Sequence, residues 1–363
     1  MNHVENFLVC RANVLDSNDL WMVSSYFDCL FKVDISKWTI EEYYPLPVKS
    51  ITKDSHSVMV MNGCYLYILP MNSKELFRFN TDNAHFDTIE FTFPQLDYFK
   101  SMFTQIAVAY KDYVYFIGHD VRGLYEINTN NNSINRYANY LESLKNIGVD
   151  INGDVFGDSF IQDNNILYVP VNGKNLMVCF DLSNRNYSIV QLEDKIRLRS
   201  IHKGKKGYIL TTLDGELAEW IPGKNQVNFQ NKYLIEGEKK SYFFALYHQG
   251  TYCYLPDYER NFFFQKGETV NKIRIDLIPE DYCKEKVIAQ YEMMFISSNH
   301  LYFQAREDGT FFCFDFEKET LSKVDMKIQQ DIRKEIVSDI LRQSKLLINE
   351  SGNIGVREFL EYL

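Results

Sequence analysis

The chain has 363 residues, of which 45% are hydrophobic, 15% aromatic and 24% charged, a globular balance that excludes a disordered or fibrous protein. Its formal net charge of −10 argues against nucleic acid or an anionic membrane surface as partner, because phosphate binding needs clustered positive charge. No stretch approaches eighteen uninterrupted apolar residues, so membrane insertion is not expected.

At the N-terminus, Glu5, Arg11 and Asp16 interrupt a short apolar stretch, which does not fit a secretory leader. Seven cysteines (Cys10, Cys29, Cys64, Cys179, Cys253, Cys283 and Cys313) are scattered through apolar runs with no Cys-x-x-Cys pair. Together these features predict a cytoplasmic protein with reduced, mostly buried thiols.

Along the chain, a small or apolar residue followed by an aromatic recurs at Leu20-Trp21, Leu66-Tyr67, Val114-Tyr115, Leu167-Tyr168, Gly207-Tyr208, Cys253-Tyr254 and Leu301-Tyr302. The gaps are 46, 48, 53, 40, 46 and 48 residues, a period that points to a repeat architecture. A second anchor follows each first one by ten residues, or nine in the fourth repeat, at Leu30, Leu76, Leu124, Leu176, Leu217, Phe263 and Phe311. Around it, apolar residues alternate up to an Asp or Asn, as in Leu30-Phe31-Lys32-Val33-Asp34 and Phe311-Phe312-Cys313-Phe314-Asp315, which marks a strand and its exit turn. Apolar runs before the first anchor and after the turn bring the count to four short strands per repeat, A to D.

Four antiparallel strands at this period predict an all-β fold, a seven-bladed β-propeller. The blades fall near 7–47, 55–93, 104–140, 158–193, 199–230, 243–277 and 290–327, making one domain over 1–327. Blade 5 is the weakest, since Ile221-Pro222-Gly223-Lys224 replaces the Asp or Asn turn. Phe7-Leu8-Val9-Cys10 supplies the first A strand, so closure is expected to rest on blade packing alone. From about Lys327, Ile328, Ile332, Ile336 and Ile340 recur every fourth residue with charges between, which predicts an amphipathic helix in a tail over 328–363. That tail either packs on the blades or docks a partner.

With the repeats laid out, residues 7–327 resemble the kelch-like and quinoprotein-like propellers, in which a Leu-Tyr-type B strand and a Phe-x-Asp-type C-strand exit recur. The resemblance implies the architecture, and sites on the face of the D-to-A and B-to-C loops. It does not carry an activity, because the chain has no Gly-Gly doublet, no Trp-Asp pair, and no residue set matching a copper-radical oxidase, a quinone site or an Asp box. No cofactor is expected.

The B-to-C loops differ from blade to blade, and those of blades 3, 6 and 7 are richest: His119, Asp120 and Arg122; Asp257, Tyr258, Glu259 and Arg260; Arg306, Glu307 and Asp308. Loops on a rigid scaffold concentrate binding groups, so His119, Asp120, Arg122, Asp257, Tyr258, Arg260, Arg306 and Glu307 form the expected binding set. The D-to-A connections add Phe103, Gln105, Arg197, Arg199, Tyr242, Phe243, Tyr291 and Glu292 ahead of the innermost strands. Catalytic signatures are thin: the seven histidines show no His-x-His or His-Glu-x-x-His spacing, and there is no nucleophile elbow or phosphate loop. Asp150-Ile151-Asn152-Gly153-Asp154 has calcium-loop alternation, but Val155 and Ile161 stand where Gly and Glu are needed, so no metal is expected. The sequence therefore favours a non-catalytic binding or scaffolding propeller that recognises a protein, peptide or glycan. The alternative is an enzyme acting on a carbohydrate or small polar substrate through Asp257 or Glu307 with Arg260 or Arg306.

Overall fold

The computed structural model describes residues 10–24, 28–48, 56–71, 73, 75–89, 91, 103–119, 122–193, 196–229, 242–257, 259–275, 291–306 and 309–339. They form seven antiparallel sheets. Blade 1 holds β1 (Cys10–Asp16), β2 (Asp19–Ser24), β3 (Cys29–Asp34) and β4 (Thr39–Pro45); blade 2 holds β5 (His56–Asn62), β6 (Tyr65–Pro70), β7 (Leu76–Asn80) and β8 (His85–Ile89). Blade 3 holds β9 (Phe103–Tyr110), β10 (Tyr113–Gly118), β11 (Gly123–Asn128) and β12 (Ile134–Tyr137); blade 4 holds β13 (Ile161–Asp163), β14 (Ile166–Pro170), β15 (Leu176–Asp181) and β16 (Asn186–Gln191). Blade 5 holds β17 (Leu198–Lys203), β18 (Tyr208–Thr212), β19 (Leu217–Trp220) and β20 (Val227–Phe229). Blade 6 holds β21 (Tyr242–His248), β22 (Thr251–Pro256), β23 (Asn261–Lys266) and β24 (Thr269–Arg274), and blade 7 holds β25 (Tyr291–Ser297), β26 (His300–Ala305), β27 (Phe311–Asp315) and β28 (Thr320–Lys323). The fold is a seven-bladed β-propeller, with every second anchor in a C strand and every first-anchor aromatic in a B strand.

The recurring Asp or Asn at the C-strand exit has a local cause. In five blades its side-chain Oδ1 accepts the N–H two residues on, at 2.8–2.9 Å: Asp34 from Ser36, Asn80 from Asp82, Asn128 from Asn130, Asp181 from Ser183 and Asp315 from Glu317. Four residues after each of them the chain enters the left-handed region, at Trp38 (φ 51°), Ala84 (56°), Asn132 (58°), Arg185 (63°) and Glu319 (55°). One turn chemistry thus builds five of the C-to-D hairpins.

Contacts divide the chain into two compact units, Met1–Arg136 with Glu292–Leu363, and Tyr137–Tyr291. In the first unit, apolar side chains of successive blades interlock: Met22, Phe31 and Ile40 with Phe295, Tyr302 and Phe311; Trp21 and Leu30 with Leu66 and Phe79; Tyr67 and Leu76 with Val114 and Phe116. Burial of this apolar surface is the main driving force for the fold.

The C-terminal segment departs from expectation. Lys327–Ile328 is not helical but a two-residue strand, β29, paired in parallel with Thr39 and Ile40 of β4, which gives blade 1 a fifth strand. Its anchor is the Lys327 N–H, which donates to the Trp38 carbonyl at 2.7 Å. Blade 1 is also held to blade 7 by the Cys10 N–H, which donates to Gln304 Oε1 at 3.1 Å. Blade packing is therefore supplemented by backbone pairing, because β4 would otherwise leave an open edge. The helix α2 covers 330–339 and buries Ile332 and Ile336 in the same cluster as Met22 and Phe31, while Ile340 and 349–363 lie outside the described residues. The first A strand, placed by the sequence at Phe7–Cys10, is instead Cys10–Asp16, since the tight turn pairing Asp16 with Asp19 sets the register; residues 1–9 lie outside the described set.

In the second unit, Met177, Leu198, Leu210 and Trp220 pack between blades 4 and 5, and Ile209, Ala245, Tyr254 and Phe263 between blades 5 and 6. The connection into blade 4 contains a helix that the sequence reading missed, α1 (Asn139–Asn146), with Tyr140, Leu141 and Leu144 buried. Tyr140 meets Phe180 edge-on at 5.0 Å. Eight residues give too few turns for a periodic signal. Downstream, Asp150 Oδ1 accepts the Asn152 N–H at 2.9 Å, so that carboxylate serves a turn. No metal-like cluster occurs among the described residues.

Candidate functional site on the B-to-C and D-to-A loops

Innermost strands enter their blades through irregular register. Shifts fall between Cys10 and Ala12, His56 and Val58, Leu198 and Ser200, and Tyr242 and Phe244, each at the start of an A strand. Bulges of this kind bend a strand and re-aim a side chain. At the bulge in β17, the side chain re-aimed is Arg199.

Arg199 links three blades. Its Nη1 lies 2.5 Å from Oδ2 of Asp257, which follows β22 and is wholly buried, and its Nε donates at 2.6 Å to Oδ2 of Asp158, which precedes β13 and is 63% exposed. The backbone beneath is sewn tight. The Asp158 N–H donates to the Arg199 carbonyl at 3.0 Å, and Ser159 Oγ both donates to the Ile201 carbonyl and accepts the Ile201 N–H at 2.8 Å. At Gly157 a Cβ would come within 1.8 Å of the Arg199 carbonyl oxygen, so only glycine allows this approach. Next along β17 lies a buried polar group in which Ser200 Oγ meets His202 Nε2 at 2.8 Å and also bonds Thr211 Oγ1. Burial, aided by the Arg199 charge, pushes the His202 pKa down to about 3, so the imidazole is neutral.

The first unit carries a second buried polar group at the same end of its sheets. His56, at the start of β5, lies with Nε2 3.1 Å from the Glu75 carbonyl and 3.4 Å from Ser73 Oγ, and with Nδ1 3.9 Å from Asp28 Oδ1. The residue order is that of a nucleophilic triad, but the proton inventory is not. Burial lowers the His56 pKa to about 4, so the ring holds one proton, and the Glu75 carbonyl requires that proton on Nε2. Nε2 then has no lone pair to take the Ser73 proton, and Ser73 Oγ donates to the Glu75 carbonyl instead, at 3.4 Å. The group ties the start of β5 to the loop between β6 and β7 within blade 2.

Of the residues singled out from sequence, His119 and Arg122 lie half-buried in the loop between β10 and β11, and Arg306 lies half-buried after β26, all in the first unit. Asp257 and half-buried Arg260 flank the loop between β22 and β23 in the second unit. Asp120, Tyr258 and Glu307 lie outside the described residues. Asp257 takes Arg199 of the neighbouring blade as an ion-pair partner. Arg199 was legible as a single polar residue of a D-to-A connection, but its convergence with Asp158 and Asp257 depends on neighbouring blades and on a bulge that leaves no mark in sequence.

No protein-family model matches the chain, and no curated protein matches its sequence. Among solved structures it is similar to virginiamycin B lyase from Staphylococcus aureus, at 10% identity and a TM-score of 0.60, covering 85% of this chain and 95% of that one. It is also similar to YCF48 from Cyanidioschyzon merolae (12% identity, TM-score 0.58, covering 85% and 96%) and to BamB from Moraxella catarrhalis (12%, 0.53, covering 85% of each). At such identities the likeness is one of architecture, and what these neighbours share with the chain is the propeller fold.

Proposed function

We propose that the chain is a binding or scaffolding propeller that recognises a protein, peptide or glycan through the loops joining B to C and D to A strands. One observation carries this reading: the buried carboxylate and the buried histidine at those loops, Asp257 and His56, are committed to structure. Asp257 is spent on Arg199 and the His56 proton on a carbonyl, which leaves neither poised for proton transfer. Such ties hold the loop ends in place, and a preorganised frame lowers the entropic cost of binding. The free cysteines support placement in a reducing compartment, and the tail over 328–363 is a second docking element in this reading.

The test is to probe the purified chain on peptide and glycan arrays beside an Arg260→Ala/Arg306→Ala variant. We expect hits that the variant loses at least tenfold while it retains the parent's circular dichroism. Equal binding by parent and variant overturns the assignment of these loops. A second reading, an enzyme on a small polar substrate, draws support from the fold likeness to virginiamycin B lyase, a catalytically inactive variant of which is solved with quinupristin. Consumption of quinupristin by the parent, followed by chromatography, would favour it.

A further inference from the structure

We propose that Arg199 and Arg197 form a carboxylate-recognition site for an acidic segment of a partner protein, in which Asp158 and Asp214 are displaceable stand-ins for the partner's own carboxylates. This deepens, and rests on, the binding reading above. Both arginines stand at the entry to β17, two residues apart, and each already grips a carboxylate. Arg197 holds Asp214 with two bonds, Nε to Oδ2 at 2.9 Å and Nη2 to Oδ1 at 2.5 Å, a fork geometry that suits a carboxylate.

The two sides of Arg199 are unequal, and that inequality makes the site. Asp257 grips one nitrogen from a wholly buried position, which fixes the guanidinium orientation. Asp158 grips another from solvent, with 63% of its side chain exposed, and Asp214 is 45% exposed. The Arg197 pair with Asp214 is exposed on both sides, at 55% and 45%, and contributes little to stability, so exchanging Asp214 for an incoming carboxylate costs little. Arg199 is only 15% exposed, so there the incoming carboxylate takes the one solvent-facing position, that of Asp158, while the buried pair with Asp257 keeps the guanidinium in place.

A peptide rather than an acidic sugar is favoured by the third component. Leu213 is one of two large apolar side chains left exposed among the described residues, at 41%, the other being Ile147. Its backbone N–H donates to the Arg197 carbonyl at 2.9 Å, which places it beside Arg197, and its Cδ1 would stand 3.2 Å from a Cβ at Gly173. Gly173 is pinned to β17 by its own N–H, which donates to the Leu198 carbonyl at 2.7 Å. Two carboxylate grips beside one apolar foothold match a short acidic stretch containing an apolar residue.

The experiment uses the full chain on an array of Asp- and Glu-rich peptides with an apolar centre, beside matched peptides carrying Asn and Gln, with uronic acid oligosaccharides on the same surface. The parent is expected to prefer acidic over amide peptides at least tenfold, less so at high salt. Asp158→Asn/Asp214→Asn is expected to raise affinity three- to tenfold, since the competing carboxylates are gone. Arg197→Gln with Arg199→Gln/Asp257→Asn, which leaves no buried charge uncompensated, is expected to abolish the preference while retaining the parent's circular dichroism. Equal binding of acidic and amide peptides, no binding of either, tighter capture of the oligosaccharides, or weaker binding by the double aspartate variant would each overturn the proposal. Should these arms fail while Arg260→Ala/Arg306→Ala still loses array hits, the carboxylate site falls and the binding reading stands.

Discussion

The Trp38 ring sits 5.0 Å from the Tyr302 ring, centroid to centroid, so the tip of a blade 1 hairpin packs directly on blade 7. Phe311 at 5.2 Å and Phe295 at 6.5 Å complete the contact, and the Trp38 carbonyl holds β29. One residue therefore serves the aromatic core, the fifth strand and the turn, although its φ of 51° suits no bulky side chain.

Two opposing effects meet at Trp38. Trp38→Ala removes the ring and should lower stability by about 2–3 kcal/mol. Trp38→Gly loses the same contacts but relieves left-handed strain, so it should be more stable than the alanine variant by about 1 kcal/mol. Denaturant unfolding measures both, and an alanine variant more stable than the glycine variant contradicts the turn geometry.

The buried histidines should make the protein acid-sensitive. In the unfolded chain an imidazole takes its proton near 6.5, whereas His56 and His202 do so only near 4 and 3 in the fold. Below 6.5 the unfolded state therefore binds more protons, and stability falls as pH drops towards those lower values. Between pH 7 and pH 5 each histidine should cost about 2 kcal/mol, above the range where Asp34 and Asp315, both lowered to about 2, begin to titrate. The slope of unfolding midpoint against pH should flatten in His202→Asn and in His56→Gln.

The Arg199 and Asp257 pair should behave as a unit. Arg199→Ala strands a buried carboxylate and should cost about 3–5 kcal/mol, whereas Arg199→Ala/Asp257→Ala should recover a substantial part of that loss. A double-mutant cycle read by calorimetry checks this, and additive losses would mean that the pair is not coupled.

Thiol chemistry should order the cysteines. Cys10, Cys29, Cys179 and Cys253 are buried, and burial pushes the Cys29 and Cys253 thiols well up and Cys179 to about 11. Among the described cysteines, half-buried Cys64 should therefore react first with a disulfide reagent in the native protein, ahead of half-buried Cys313, whose thiol burial also pushes up. At least six of the seven thiols should titrate after denaturation, and a lower count would contradict a reducing compartment.

What the sequence determined by itself was whatever rests on local rules. Alternation of side chains, the paired anchors and the Asp or Asn turns are set by backbone geometry within one hairpin, and each blade repeats them, so blade number and strand order could be read directly. Tertiary structure decided whatever joins one blade to another. Lys327–Ile328 has a helical spacing in sequence, but the open edge of β4 and the Trp38 carbonyl make it a strand. Asp257 reads as a loop charge beside Arg260, but a bulge in the neighbouring blade brings Arg199 to it at 2.5 Å. Pairings of this kind cross more than fifty residues of chain, from Arg199 to Asp257 or from Cys10 to Gln304, and their energy comes from burial and from partners that no local pattern encodes.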